Sequence, residues 1–311
     1  MRPGAKSGEK RHGYFELSLE RGDLLPLLLM LPALLVILAV MIVPLFYGLL
    51  LSFFNIRFGV LRFTESFIGL GNYARFFRDP AALKAVFNTL YFSFGAIAGD
   101  FILGTLVAVF LVKIPRLLSS VLRPIVTIPL LISPVVIGLI WRYIYDPQGI
   151  LYWFLGLFGL GISDFPGVTG ASTSMLSVIF AQWWQVTPFV IIVLTAGLLS
   201  IPEEYYEAAK IDGAGAFTTF WKITFPQLKN VYMVIMLISG VDTLKIFDLI
   251  YSLTRGGPNN SSVSLSIYAF SQAFERSNLG YSMAISFMTM MITFLIFGIP
   301  FVKYNLAKGN R

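Results

Sequence analysis

The 311-residue sequence contains no cysteine and a single histidine, His12. The missing cysteines exclude disulfides, thiolate metal sites and a cysteine nucleophile. His12 lies in a polar N-terminal stretch, where a solvated side chain is the expected state. The sequence also has no G-x-x-x-x-G-K-[ST] and no H-E-x-x-H motif, so it offers no phosphate-binding loop and no zinc-protease site. We therefore predict no catalytic residue and no metal ligand in this chain.

Charged residues are scarce as well. They make up 13% of the sequence, against 57% for hydrophobic residues, whereas a soluble domain carries about 25% charged residues. The apolar runs have the length of membrane helices and exceed that of barrel strands. These properties predict an all-α membrane protein with several spans. The net charge of +7 is therefore interpreted through membrane topology and not as a sign of nucleic-acid binding.

Six apolar runs predict six spans, at about 24–56, 85–112, 124–145, 174–198, 230–253 and 279–302. The first run is too long for a signal peptide and lacks a convincing cleavage site, so we expect it to remain as an anchor. The prediction is a tail at 1–23, a membrane domain at 24–302 and a tail at 303–311.

Lys and Arg indicate the orientation of these spans. They are more frequent in the two tails and in the loops 113–123 and 199–229 than in the loops on the opposite side. Cytoplasmic loops of membrane proteins carry an excess of Lys and Arg. Both termini and the 199–229 loop are thus predicted to be cytoplasmic.

The 199–229 loop, LSIPEEYYEAAKIDGAGAFTTFWKITFPQLK, is the stretch around which the chain is organised. Ser200 and Glu203 have the spacing of a capping box, and Gly213 and Gly215 favour a helix end. A second short helix is predicted at about 217–224, ended by Pro226. Small residues beside one acidic side chain favour close approach of a soluble partner. An interfacial helical hairpin without a partner is the alternative.

Two parts of this loop resemble the EAA loop of ABC import permeases: Glu207-Ala208-Ala209 with Gly213, and Ile223-Thr224-Phe225-Pro226. Phe225 stands where leucine is usual. The longer stretch 202–214 resembles the carbohydrate-import branch of that family, of the maltose and glycerol-phosphate type. Shorter stretches at 69–73, 141–147, 256–258 and 280–284 are similar to the same branch.

The resemblance implies a six-helix transmembrane bundle in a prokaryotic inner membrane, with the loop acting as a coupling helix-turn-helix. The chain itself would bind no cofactor, because ATP and Mg would bind to two separate ABC ATPase subunits. The other implied partners are a second, different permease chain, an extracytoplasmic solute-binding protein, membrane lipid and a sugar-like substrate. The residues implied in ATPase coupling are Glu207, Ala208, Ala209, Asp212, Gly213, Gly215 and Pro226.

Polar residues inside the predicted spans are candidates for a substrate path. Asp242, Lys245 and Asp248 follow each other at three-residue intervals, which predicts one helix face. A trio packed between helices for mutual neutralisation is the alternative. In an ion-driven secondary transporter, a different class of protein, the same trio would be a proton or sodium relay. A membrane-embedded enzyme or scaffold is a third class, and the missing catalytic cluster argues against the enzyme.

The predicted fourth span carries two amides and two indoles. Aromatic faces bind sugar C–H groups and amides bind hydroxyls, so this combination suits a polyol path. Interhelical hydrogen bonding is the competing explanation. We expect Asp100 and Arg142 to be structural. The four candidate residues are Gln182, Trp183, Trp184 and Gln185.

Overall fold

The computed structural model describes residues 25–57 and 66–309. The predicted tail at 1–23 lies outside the described residues. Within them the chain is mainly helical, and pairing of extended backbone is confined to two isolated bridges. The α-helices, in chain order, are α1 (Leu25–Ile37), α2 (Val43–Ser52), α3 (Gly71–Arg78), α4 (Pro80–Lys113), α5 (Arg116–Thr127), α6 (Pro134–Ile144), α7 (Ile150–Gly156), α8 (Ser174–Leu199), α9 (Glu203–Ile211), α10 (Ala216–Thr219), α11 (Phe225–Leu244), α12 (Asp248–Leu253), α13 (Leu265–Phe270), α14 (Leu279–Thr293) and α15 (Ile299–Gly309).

Short segments of other helical types join several of these helices. 3-10 turns occur at Ile128–Leu131 and Gly167–Thr169, and π turns at Leu38–Ile42, Phe220–Thr224, Ser271–Glu275 and Phe294–Gly298. The described residues form two compact units, and the boundary between them falls after Leu51.

Four helical segments of the described chain are long and apolar enough to cross a membrane, by length and composition. A fifth is obtained if the bent pair Arg116–Leu131 and Pro134–Ile144 is one span. A multi-pass membrane protein is therefore confirmed, whereas the count of six spans stays a prediction. The four segments are Leu29–Ser52, Pro80–Lys113, Ser174–Leu199 and Leu279–Tyr304.

The predicted third span, 124–145, is not one straight helix. α5 starts at Arg116, so most of the predicted loop 113–123 is helical, and the chain bends by 99° before α6. Ser133 before Pro134 is extended, with ψ at 140°, because the proline ring disfavours the helical region for the preceding residue.

The predicted fifth span, 230–253, is also divided. α11 ends at Leu244, and α12 begins only at Asp248. Phe247 has φ −133° and ψ −59°, which lies outside the helical region. The break lies inside the proposed Asp242, Lys245, Asp248 stripe.

The core is built on the long pair α4 and α8. Gly99 of α4 lies so close to α8 that a Cβ atom there would overlap the indole of Trp183. Small residues at such contacts let membrane helices approach closely and gain van der Waals contact. Asp100 is fully buried beside this contact, and its Oδ1 accepts a hydrogen bond of 3.0 Å from Thr187 Oγ1. The expectation that Asp100 is structural agrees with this placement.

A second junction ties α3, α4, α13 and α14 together at Asp79. The carboxylate accepts hydrogen bonds from Tyr268 Oη at 2.6 Å and Tyr281 Oη at 2.8 Å, and caps α4 through Ala81 N at 3.0 Å. The Arg75 guanidinium lies 4.0 Å above the Tyr281 ring. Burial alone would raise the pKa of the Asp79 carboxyl, but these hydrogen bonds bring it below its ordinary value.

Candidate functional site

The first helix of the 199–229 loop starts differently from the prediction. Pro202 is the N-cap of α9, and no side chain caps the helix. The predicted Ser200–Glu203 capping box is wrong, because Ser200 Oγ instead donates a 2.7 Å hydrogen bond to the carbonyl of Gly197. That bond belongs to the end of α8, and it leaves the Ser200 hydroxyl unable to serve α9. Glu203 and Glu204 still lie in the first turn, where the helix dipole favours acids.

The glycine turn that follows α9 is confirmed. Gly213 has φ +71°, a left-handed conformation that glycine adopts without a Cβ clash. The amide of Ala214 donates to the Ala209 carbonyl at 2.9 Å and that of Gly213 to the Lys210 carbonyl at 3.2 Å. These two bonds satisfy carbonyls that the helix end leaves open.

The second helix of the loop continues further than predicted. α10 passes through the π turn Phe220–Thr224 into α11, so Pro226 does not end the helix. The amide of Phe225 bonds to the carbonyl of Phe220, five residues back. In this wider turn the helix accommodates a residue with no amide hydrogen, and Pro226 becomes an early residue of the next helix. The predicted stop at Pro226 is therefore wrong.

The two helices and their turn form an exposed elbow, defined here as residues 202–226. Tyr206 Oη lies 3.3 Å from Thr224 Oγ1 and links its two arms. The elbow carries large apolar side chains in the open, including Ile211, 87% exposed, and Phe217, 78% exposed. Of the seven proposed coupling residues, Ala209 is buried, and the others are exposed: Glu207, Ala208, Asp212, Gly213, Gly215 and Pro226.

The four substrate-path candidates on α8 have different surroundings in the structure. Trp183 Nε1 donates to the carbonyls of Gly95 at 3.0 Å and Ala96 at 3.2 Å, so this indole fastens α8 to α4. Gln182 and Gln185 are buried, and Gln185 Nε2 makes a long 3.4 Å contact with the Ile132 carbonyl. Trp184 is 39% exposed.

Both indoles line a cavity of about 890 Å³ between α4, α5, α6, α7 and α8. Its walls are mainly aromatic and aliphatic, with Trp141 6.2 Å from Trp184 between ring centroids. Neither Gln182 nor Gln185 lines this cavity. The structure thus brings together the aromatic half of the proposed polyol path and leaves the two amides in helix packing.

The charged candidates are not one stripe. Lys245 Nζ lies 2.9 Å from Asp242 Oδ1, and both side chains are largely exposed. Asp248 lies beyond the helix break, in the first turn of α12. The prediction that all three climb one helix face is wrong, because α11 ends at Leu244, between the first and second members, and Asp248 belongs to α12.

Some polar residues near these elements were not singled out from the sequence. Arg255 lines a cavity of about 450 Å³ with Asp146 and Thr169, and Arg142, which was expected to be structural, lines the same cavity. Among the described residues, Arg123 Nε and Thr195 Oγ1 are buried polar atoms without a hydrogen-bond partner. Arg123 is the last basic residue before the apolar run at 124–145, but Thr195, which lines the same cavity, lies 72 residues away in the chain.

Residues 100–302 match the family model described as "Binding-protein-dependent transport system inner membrane component". The chain is 34% identical over 275 residues to the probable ABC transporter permease protein YurN of Bacillus subtilis, covering 88% of this chain and 93% of that one. It is 34% identical to the trehalose/maltose transport system permease protein MalF of Thermococcus litoralis, covering 79% of this chain and 82% of MalF.

A third relative is the multiple sugar-binding transport system permease protein MsmF of Streptococcus mutans, 32% identical over 85% of this chain and 89% of MsmF. Among solved structures, the fold matches a chain of a bacterial ABC transporter involved in import of the acidic polysaccharide alginate. The TM-score is 0.75 at 21% identity, with 92% of this chain and 96% of that chain covered.

Proposed function

The chain belongs to the family of binding-protein-dependent transport system inner membrane components, and from that premise we propose its function. It is the transmembrane permease subunit of an ATP-driven ABC importer. Its substrate is a carbohydrate, a di- or oligosaccharide, or a related polyol such as glycerol phosphate. The observation that carries this proposal is the exposed elbow at 202–226, with its Gly213 turn and its unburied Glu207.

The elbow transmits force from ATPase subunits that this chain does not contain. Two separate ABC ATPases bind ATP and Mg, and the chain has neither a nucleotide site nor a cofactor of its own. The open apolar side chains Ile211 and Phe217 supply area for docking, and Glu207 supplies a charge that can pair with a basic group. The remaining proposed coupling residues shape the turn and its approaches: Ala208, Ala209, Asp212, Gly213, Gly215 and Pro226.

ATP binding and hydrolysis then bias a two-state equilibrium of the bundle between inward-facing and outward-facing access. The elbow joins α8 directly to α11, so movement of the elbow acts on two helices of the transmembrane domain. In this proposal both termini and the elbow are cytoplasmic. A solute-binding protein delivers substrate on the other side, where Asn259, Asn260, Ser261 and Ser262 lie on a loop. A second, different permease chain pairs with this one to complete the transmembrane part of the importer.

The carbohydrate class is supported by the names of the relatives and by the aromatic cavity. Trp184 presents an indole to that cavity, as binding of sugar C–H faces requires. The exposed pair Asp242 and Lys245 offers a charged, hydrogen-bonding surface near the α11 break. We keep Gln182, Trp183, Gln185 and Asp248 as path candidates. The hydrogen bonds of Trp183 to the backbone of α4 favour a role in holding the wall of the path over direct contact with substrate.

The ion-driven alternative has lost its main support. It depended on Asp242, Lys245 and Asp248 as a continuous relay on one helix. The break between Leu244 and Asp248 places Asp242 on α11, Lys245 in the connection and Asp248 on α12. Family membership likewise supports the ATP-driven function.

Reconstitution tests the proposal. Vesicles containing this chain, its second permease and the ATPases should take up labelled trehalose or maltose only when ATP and the binding protein are present. Vesicles with this chain alone should take up none. Uptake by the chain alone, driven by a sodium or proton gradient, would overturn the ATP-driven function.

A further inference from the structure

A small cavity of about 210 Å³ lies between α5 and the last turns of α8, at the end of the bundle from which the elbow extends. Arg123 and Thr127 form one wall, and Thr195 lies on the other. Its volume is several times that of a water molecule, so a small chemical group can enter. The rest of its lining is aliphatic: Ile191, Ile192, Ala196 and Leu199.

Two hydrogen-bond donors of this cavity are without partners. Within the described part of the chain, Arg123 Nε and the Thr195 hydroxyl oxygen are buried and make no hydrogen bond. Thr195 as a residue is 6% exposed. Leaving such buried groups unsatisfied is unfavourable, and more so for a charged group. An acceptor from outside the chain would remove that cost.

The helices that line the cavity offer Arg123 no negative charge. No acidic residue occurs at 101–145 or at 165–202, a range that includes all of α5, α6 and α8. The acid of α4 that faces α8, Asp100, is paired with Thr187 near the middle of the two long helices. The only ion pair seen between described side chains, Asp242–Lys245, does not involve Arg123. The missing acceptor is therefore expected to be an anion.

We propose that this cavity binds the phosphate group of an anionic phospholipid, through the Arg123 guanidinium and the Thr195 hydroxyl. A phosphate accepts several hydrogen bonds and matches the guanidinium in charge and geometry. The aliphatic wall of α8 and the exposed side chains of α5, among them Leu117 at 81% and Ile125 at 55% exposure, suit acyl chains. Basic pockets between helices on the cytoplasmic side are suited to lipid headgroups. Only the choice of leaflet depends on the topology in the proposed function.

Native mass spectrometry of the delipidated transporter complex, titrated with phosphatidylglycerol or phosphatidylcholine, tests this site. Arg123→Gln should weaken phosphatidylglycerol binding about tenfold, as expected for loss of a charge-assisted hydrogen bond. Arg123→Lys keeps the charge but loses the planar guanidinium, so it should bind more tightly than Arg123→Gln and less tightly than the wild type. Thr195→Val keeps the shape of the side chain and should weaken binding about threefold, since a neutral hydrogen bond is lost. Phosphatidylcholine binding should be weaker in the wild type and should not respond to these changes.

Arg116→Gln is the matched control, because Arg116 is on the same helix but exposed and outside the cavity. It should change binding less than twofold. Equal phosphatidylglycerol affinity in wild type, Arg123→Gln and Thr195→Val would overturn the proposal. Water would then be the partner of the two donors. Displacement of the lipid by low millimolar inorganic phosphate would overturn the lipid assignment. If the Arg123→Gln complex lost the second permease while lipid binding stayed unchanged, the cavity would be a contact between subunits, and the lipid proposal would be overturned. Transport is not measured, so failure here is distinct from failure of the proposed function.

Discussion

Gly213 and Gly215 both belong to the proposed coupling sequence, but the structure gives them different backbone requirements. Gly213 has φ +71°, whereas Gly215 has φ −70° and ψ 166° as the N-cap of α10. A Cβ atom built at either position meets no atom within 4 Å. Steric clash with neighbours is thus equal for the two, and only the backbone conformation distinguishes them.

The conformational free-energy cost of an alanine substitution can therefore be stated separately for Gly213 and for Gly215. At Gly213 the left-handed conformation disfavours an L-residue by about 1–2 kcal/mol. At Gly215 the conformation is open to any residue, so Gly215→Ala should be close to neutral. If docking requires the observed turn, Gly213→Ala weakens ATPase attachment by roughly 5–30-fold. Gly213→Asn should recover part of the loss, because asparagine tolerates the left-handed region.

Affinity of the ATPase subunits for the permease pair in lipid nanodiscs measures this directly, and ATP-dependent sugar uptake measures its consequence. The expected order of affinity is wild type and Gly215→Ala first, then Gly213→Asn, then Gly213→Ala. Amounts of each variant in the membrane serve as the control for folding. If both alanine variants lost affinity equally, or neither did, the turn geometry would not be what the ATPase requires.

Three further changes test other parts of the molecule. Glu207→Lys should abolish uptake while the protein stays in the membrane, and normal uptake would remove Glu207 from the docking role. Trp184→Ala should raise the KM for sugar or alter sugar-stimulated ATPase activity, with expression unchanged; no change in either would assign this indole to packing. Tyr281→Phe should destabilise the protein by about 1 kcal/mol at pH 7, because it removes a hydrogen bond to the partly exposed Asp79 carboxylate. The pKa of Asp79 is lowered in the folded state, so this stabilisation is present above the unfolded pKa of about 3.9 and is lost as pH falls through the folded pKa. The difference between the denaturant midpoints of wild type and variant should therefore be largest at pH 7 and should shrink as the pH falls below the unfolded pKa of about 3.9.

Much of the candidate site was accessible from sequence because its signals are local. The turn after α9 was predicted from two glycines, Gly213 and Gly215, and the structure confirms the left-handed conformation for Gly213 alone. The capping box failed because Ser200 hydrogen-bonds to the end of the preceding helix. Pro226 failed as a helix stop because a π turn of the backbone just before it accommodates the missing amide. In both cases a neighbouring segment of backbone competed with a short motif.

The interior of the bundle was harder to predict. Asp242, Lys245 and Asp248 share a face only if the helix is continuous, and no sequence pattern marked the break after Leu244. The four polar residues of α8 looked equivalent in the chain. Only packing against α4 showed that Trp183 serves the contact with Gly99 while Trp184 faces a cavity.

Composition and run length by themselves determined that this is a helical membrane protein, because the cost of burying backbone and charge in lipid acts on each segment separately. The glutamate, alanine and glycine pattern of 207–213 likewise identified the family. Tertiary structure alone decided which polar side chains are satisfied, exposed or left without a partner. Thr195 and Arg123 line one cavity from two different helices, and that placement depends on how distant segments pack together.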